Sequence, residues 1–123
     1  MNIYISHSRD FDFKKELYDP LKSLVSEHEF IFPHSESDTP FETKKLFESK
    51  VCKLVIAEVT YPSIGQGVEL GWANLLKIPI IFIYKKGSKI SNSLKLISSE
   101  FIEYENLKKI SETLNNKING TKN

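Results

Sequence analysis

Disulfides, membrane spans and a strongly charged surface are all missing from this chain. A single cysteine, Cys52, in 123 residues has no partner inside the chain, so no internal disulfide holds the fold. No apolar run approaches the roughly 20 residues that a membrane-crossing helix needs, and none follows a basic leader. The formal charge is only +1, from 17 basic and 16 acidic residues, which removes any global case for binding a nucleic-acid polymer or a membrane surface. Anion recognition therefore has to be local. Arginine is the scarcest charged type, because every basic residue but Arg9 is lysine. A reducing, cytoplasmic setting is the expectation, in one compact domain near the usual single-domain size.

What the chain does have is alternation. Short β-rich apolar runs at residues 2–6, 29–33, 53–59, 79–84 and 101–104 are separated by helical patterns at 12–27, 41–50, 66–77 and 106–117, with a short helix within 91–99. That order predicts an α/β fold: a single doubly wound, flavodoxin- or Rossmann-like domain whose five-stranded parallel sheet has helices on both faces. The expected strand order is 2-1-3-4-5. Pro20, preceded by Asp19, predicts a kink or restart in the first helix. The domain is expected to span 1–118, with the small polar residues 119–123 as a frayed tail.

The most informative stretch is AEVTYPSIGQGVELGWA, residues 57–73. Leu54, Val55, Ile56 and Ala57 read as a strand covered on both faces. Pro62 stops that strand, while Gly65 and Gly67 permit a tight turn and close approach of a ligand to the backbone. Val68, Leu70, Trp72, Ala73, Leu75 and Leu76 fit one helix with a broad apolar face. Glu69 is expected in its first turn, where the dipole favours the ionised carboxylate that a nucleophile requires. In the expected topology, ligands bind beyond the carboxyl ends of strands one and three. Ser6, His7, Ser8 and Arg9 follow the first strand, Ser63 and Gly65 the third, and Pro33 and His34 the second. Hydroxyls, backbone N–H groups and a guanidinium at one rim suit a sugar or a phosphate.

The succession AEVT, PS, GxG, ELG, with Ser63 six residues before Glu69, resembles the active-site segment of the nucleoside 2-deoxyribosyltransferase superfamily. Its closest likeness is to the 2'-deoxynucleoside 5'-monophosphate N-glycosidase branch. The opening Ile3-Tyr4-Ile5-Ser6-His7-Ser8 resembles the same family's first strand. The resemblance implies Glu69 as nucleophile, Tyr4 contacting the sugar and orienting Glu69, and a histidine near His34 over the base or leaving group. It also implies a homodimer in which Ser93 matches a serine that reaches the neighbouring subunit's phosphate site. No metal or organic cofactor is implied. His7 stands where the family usually has glycine, so it either narrows the pocket or projects outward.

Plain structural roles compete with each of these. Glu69 serves equally as a helix-start acid, Tyr4 as strand packing, and Ser63 as a helix N-cap. Ser8 and Arg9 also fit a polar turn. Lys85, Lys86 and Lys89 read as a solvated loop, Trp72 as packing, and Cys52 as a small buried residue beside the third strand.

The main departure from the family concerns acids. Lys45 and Lys53 stand where members generally carry aspartates, and the nearest carboxylates, Glu42 and Glu48, share the helical face of Lys45. Without a general acid a rate falls on the order of 10²- to 10⁴-fold. The leading reading is cleavage or transfer of the N-glycosidic bond of a small-molecule deoxynucleotide or nucleoside through Glu69. The alternatives are a non-catalytic nucleotide sensor or interaction module, or an NAD glycohydrolase or binder of an NAD-derived signal. The last follows from the likeness of Tyr4-Ile5-Ser6-His7-Ser8 to the start of Toll/interleukin-receptor-like domains.

Overall fold

The computed structural model describes residues 1–23, 28–34 and 41–121. Five strands, β1 (Asn2–His7), β2 (Glu29–Ile31), β3 (Cys52–Glu58), β4 (Ile80–Lys85) and β5 (Phe101–Tyr104), form one all-parallel sheet of order 2-1-3-4-5. The expected winding is therefore present. Helix α1 (Asp19–Lys22) follows β1; α2 (Thr43–Glu48) precedes β3; α3 (Ile64–Leu75) joins β3 to β4; and α4 (Ser111–Gly120) closes the fold.

The period-two alternation of β1 sorts the core into two layers. Ile3 and Ile5 face Leu17, Leu21, Leu114 and Ile118 from the first and last helical segments. Tyr4 faces Phe47, Leu70 and Ala73, on α2 and α3. Each fully buried aliphatic side chain contributes about 1.5–3 kcal/mol of transfer free energy. Strand β3, closed on both sides by neighbours, is buried at every position except Lys53. The ladder with β1 shifts register beside Lys53, which is exposed at the end of β3 remote from the chemistry-bearing loops.

Several boundaries differ from expectation. The first helical region is broken as Pro20 predicts: a wide turn at Lys14–Tyr18, in which the Asp19 N–H reaches the Lys14 carbonyl, precedes α1. Proline in the first turn of α1 has no N–H that needs a partner. Residues 24–27 of the expected helix lie outside the described residues. The expected helix at 106–117 is a 3₁₀ turn, Leu107–Ile110, followed by α4, which runs through Gly120. Asn119 and Gly120 are thus helical rather than tail, because Ile118 is fully buried and anchors the last turn.

Candidate active site

Helix α3 places the carboxylate. Ser63 caps it, its Oγ accepting the Gln66 N–H at 3.3 Å, so the helix begins at Ile64. Glu69 consequently lies in the second turn, and the first turn holds no acid. The expectation of an anion stabilised by the helix dipole is corrected here, since that effect fades beyond the first turn. Other partners act on Glu69 instead. Tyr4 Oη and Ser6 Oγ each donate to Oε2 at 3.2 Å, and Tyr4 Oη lies 2.9 Å from Thr43 Oγ1. With its proton given to Glu69, the Tyr4 oxygen accepts from Thr43. Among the described residues Oε1 takes no hydrogen bond.

Burial dominates the electrostatics of this group. It pushes Glu69 up to about 7, against the lowering effect of the Tyr4 and Ser6 hydrogen bonds. Burial, then the Glu69 charge, raises the Tyr4 phenol far above its ordinary value, so Tyr4 remains a donor. Edge contact with Phe47, at 5.3 Å between ring centroids, holds the Tyr4 ring in place.

The loop after β3 is braced by a buried carboxylate that the sequence did not single out. Glu58 Oε1 accepts the Thr60 N–H at 2.6 Å; Oε2 accepts the Thr60 hydroxyl at 3.0 Å and the Tyr104 hydroxyl. The Gln66 side chain donates to the Glu58 carbonyl at 2.8 Å, tying the strand end to the first turn of α3. A parallel-sheet end rich in donors was legible; which acid they would serve was not.

The remaining sequence candidates fall into two groups. On one side His7 and Ser8 are buried, while Arg9 is exposed on the loop they open. Ser8 Oγ accepts the Asp10 N–H at 3.0 Å. His34 joins them at the end of β2, its ring 5.5 Å from that of His7. On the other side, Ser63, Gly67 and Ser93 line a largely apolar cavity of about 330 Å³ with Tyr61, Leu70, Leu94 and Ile97; Glu69 is not among its lining residues. Gly65 and Gly67 are helical without positive φ, so no tight turn explains them. A Cβ at either would meet open space.

Two further expectations change. Lys85 is not a solvated loop residue: its Nζ lies 2.5 Å from Glu16 Oε1 and 2.9 Å from Tyr61 Oη, above the stacked Phe11 and Tyr61 rings. Lys86 and Lys89 are exposed. The broad apolar face of α3 is divided, with Leu70 and Ala73 buried but Val68, Leu75 and Leu76 exposed. Lys45 points to solvent and pairs with Glu42 at 3.7 Å, and Glu48 is exposed. Thr43 is the α2 residue that turns inward, to the Tyr4 hydroxyl; ungapped counting misses it because helical phase, not sequence offset, selects the inward side chain.

Fold and site define an open parallel α/β protein with a hydroxyl-held carboxylate at the point where the winding reverses. The solved structure of the Clostridium botulinum CMP N-glycosidase, BcmB, matches with a TM-score of 0.65 at 23% identity, covering 93% of this chain and 98% of that one. At that identity the likeness is one of fold. Neither a protein-family profile nor a curated protein sequence matches the chain. No helix among the described residues is long and apolar enough to cross a membrane.

Proposed function

We propose that this chain breaks the N-glycosidic bond of a nucleotide or nucleoside, with Glu69 as the nucleophile. The observation that carries the reading is the Glu69 carboxylate held by the Tyr4 and Ser6 hydroxyls at the sheet's switch point. One oxygen is engaged and oriented, while Oε1 is left to approach an anomeric carbon. In the first step the Glu69 oxygen bonds to that carbon as the C–N bond breaks, and the departing base takes the electron pair and a proton from solvent. In the second, water, giving up a proton to solvent, or a nitrogen of another base attacks the same carbon; the bond from that carbon to Glu69 breaks, freeing the carboxylate and either the sugar or a new nucleoside.

Ser8, Arg9 and Ser63 would take a 5'-phosphate, with Gly65 and Gly67 allowing it to approach the N-terminus of α3. His34 would stand by the base. Hydrolysis and transfer remain two outcomes of one intermediate, decided by which acceptor reaches it. A neighbour that is a CMP N-glycosidase supports a nucleotide as the substrate class.

A second copy of the chain completes the reading. The outer face of α3 is apolar and uncharged, with Ile64 90% exposed, Leu75 79% and Val68 46%. Leu96, 88% exposed, stands beside the cavity that holds Ser93. Such a surface fits a homodimer and a partner serine at the phosphate subsite.

One observation favours the sensor alternative: Lys45 is turned to solvent and the Thr43 hydroxyl of α2 meets Tyr4, so among the described residues α2 brings no protonating acid to Glu69. Base release separates the readings. The chain and its Glu69→Ala variant are incubated with deoxynucleotides, ribonucleotides, deoxynucleosides and NAD, and free base is measured by chromatography. Release that depends on Glu69 is the expected result. Tight binding with no release from any substrate would sink the enzyme reading in favour of a sensor.

A further inference from the structure

His7 ends β1 on the face opposite Tyr4 and Ser6, and the reaction above gives it nothing to do. It is 6% exposed, with its ring centroid 4.5 Å from that of Phe13 and 5.1 Å from that of Tyr18. Nδ1 lies 2.7 Å from the Ser8 carbonyl oxygen. A carbonyl only accepts, so Nδ1 carries the proton. Burial lowers the His7 pKa to about 4, which leaves the neutral ring a lone pair at Nε2. The Tyr18 hydroxyl is 2.5 Å from Nε2 and must donate to it; the Tyr18 oxygen then accepts the His34 N–H at 3.1 Å.

Every donor in this chain points the same way: His34 N–H to Tyr18, Tyr18 O–H to His7, His7 Nδ1–H to Ser8. The Tyr18 phenol is raised to about 12, by burial first and in part by the Glu69 charge, so it keeps its proton near neutrality and stands within electrostatic reach of the carboxylate. The relay connects two loops of the rim, since Ser8 opens the loop after β1 and His34 the loop after β2. Both nitrogens of His7 are consumed inside the protein.

We propose that His7 and Tyr18 are a positioning pair that holds the His34 loop against the Ser8–Arg9 loop, so that His34, not His7, meets the ligand. The ligand's class rests on the nucleotide reading; the tie between the loops does not. A glycine at position 7 would leave Tyr18 without its acceptor and the two loops without this link.

The test is nuclear magnetic resonance of the full chain with ¹⁵N-labelled histidine, using CMP as the probe. His7 is expected as the neutral Nδ1–H tautomer, unchanged down to about pH 5 and titrating near 4 rather than at its ordinary 6.5. Tyr18→Phe is expected to move the His34 amide resonance and to weaken CMP binding roughly tenfold, the loss of one buried hydrogen bond. CMP is expected to shift the His34 ring signals and leave those of His7 in place. An Nε2–H tautomer for His7, a His34 amide indifferent to Tyr18→Phe, or CMP shifts confined to His7 would each overturn the pair. If the wild-type chain binds no nucleotide, the nucleotide reading fails, and the tautomer and the His34 amide still decide the pair. Should Tyr18→Phe not fold, the wild-type tautomer and its titration decide it.

Discussion

As the proposed nucleophile, Glu69 meets two opposed demands. A nucleophile must be charged, yet the position that brings it under Tyr4 and Ser6 also removes water, and its pKa rises to about 7. For the proposed reaction, kcat/KM should climb as pH passes 7 and level off above it, as a pH–rate profile will record. Tyr4→Phe removes a hydrogen bond that favours the anion, so the rising limb should move to higher pH and the rate should fall about 10²-fold. Stability should respond in the opposite sense. The folded chain holds the Glu69 proton more tightly than the unfolded chain, whose carboxyl has its ordinary 4.5, so this group's contribution is complete below 4.5 and is lost as pH rises through 7. Glu69→Gln should therefore be more stable than the wild type at pH 8, on the order of 2 kcal/mol, and nearly equal to it at pH 4. Denaturant melts at the two values will measure the difference.

At the scale of elements, α3 is the component on which the site depends. Its start is held by the Ser63 cap and by the Gln66 bond to Glu58. Ser63→Ala should destabilise the chain by about 1 kcal/mol in thermal or denaturant unfolding. Gly67 offers the converse experiment. It is helical, and a Cβ there meets nothing within 4 Å, so Gly67→Ala should stabilise the fold by roughly 0.5–1 kcal/mol. If the bare backbone exists to admit a phosphate, the same substitution should weaken nucleotide binding in a calorimetric titration. A stabilised variant with unchanged binding would mean that Gly67 has no ligand role.

For the whole molecule, the parallel sheet gathers the rim from loops that are distant in sequence, and the outer face of α3 remains to be covered. Light scattering on a sizing column should return about twice the 14.2 kDa of one chain. Val68→Glu, which sets a charge in the middle of that face, should return the single-chain mass. If a partner supplies Ser93, the same variant should also lose nucleotide affinity. A dimer untouched by Val68→Glu would place the interface elsewhere.

The alternation of apolar runs and helical patterns was enough to predict five parallel strands, because burial on both faces makes a strand read as a nearly continuous apolar run, as Leu54–Ala57 does. Pro20 and Pro62 marked their breaks for a local reason, the missing N–H and the restricted φ. Glu69, Tyr4 and Ser6 were legible as candidates through the motif at 57–73 and the first strand. Their partners and charge states depended on packing. The Tyr4–Glu69, Tyr4–Thr43 and Tyr104–Glu58 bonds join residues far apart in the chain, and the inward turn of Thr43 beside an outward Lys45 follows from how α2 docks. Sequence determined which side chains could take part; only tertiary structure decided which met and which lost water, because both depend on the phase and depth at which each element docks on the sheet.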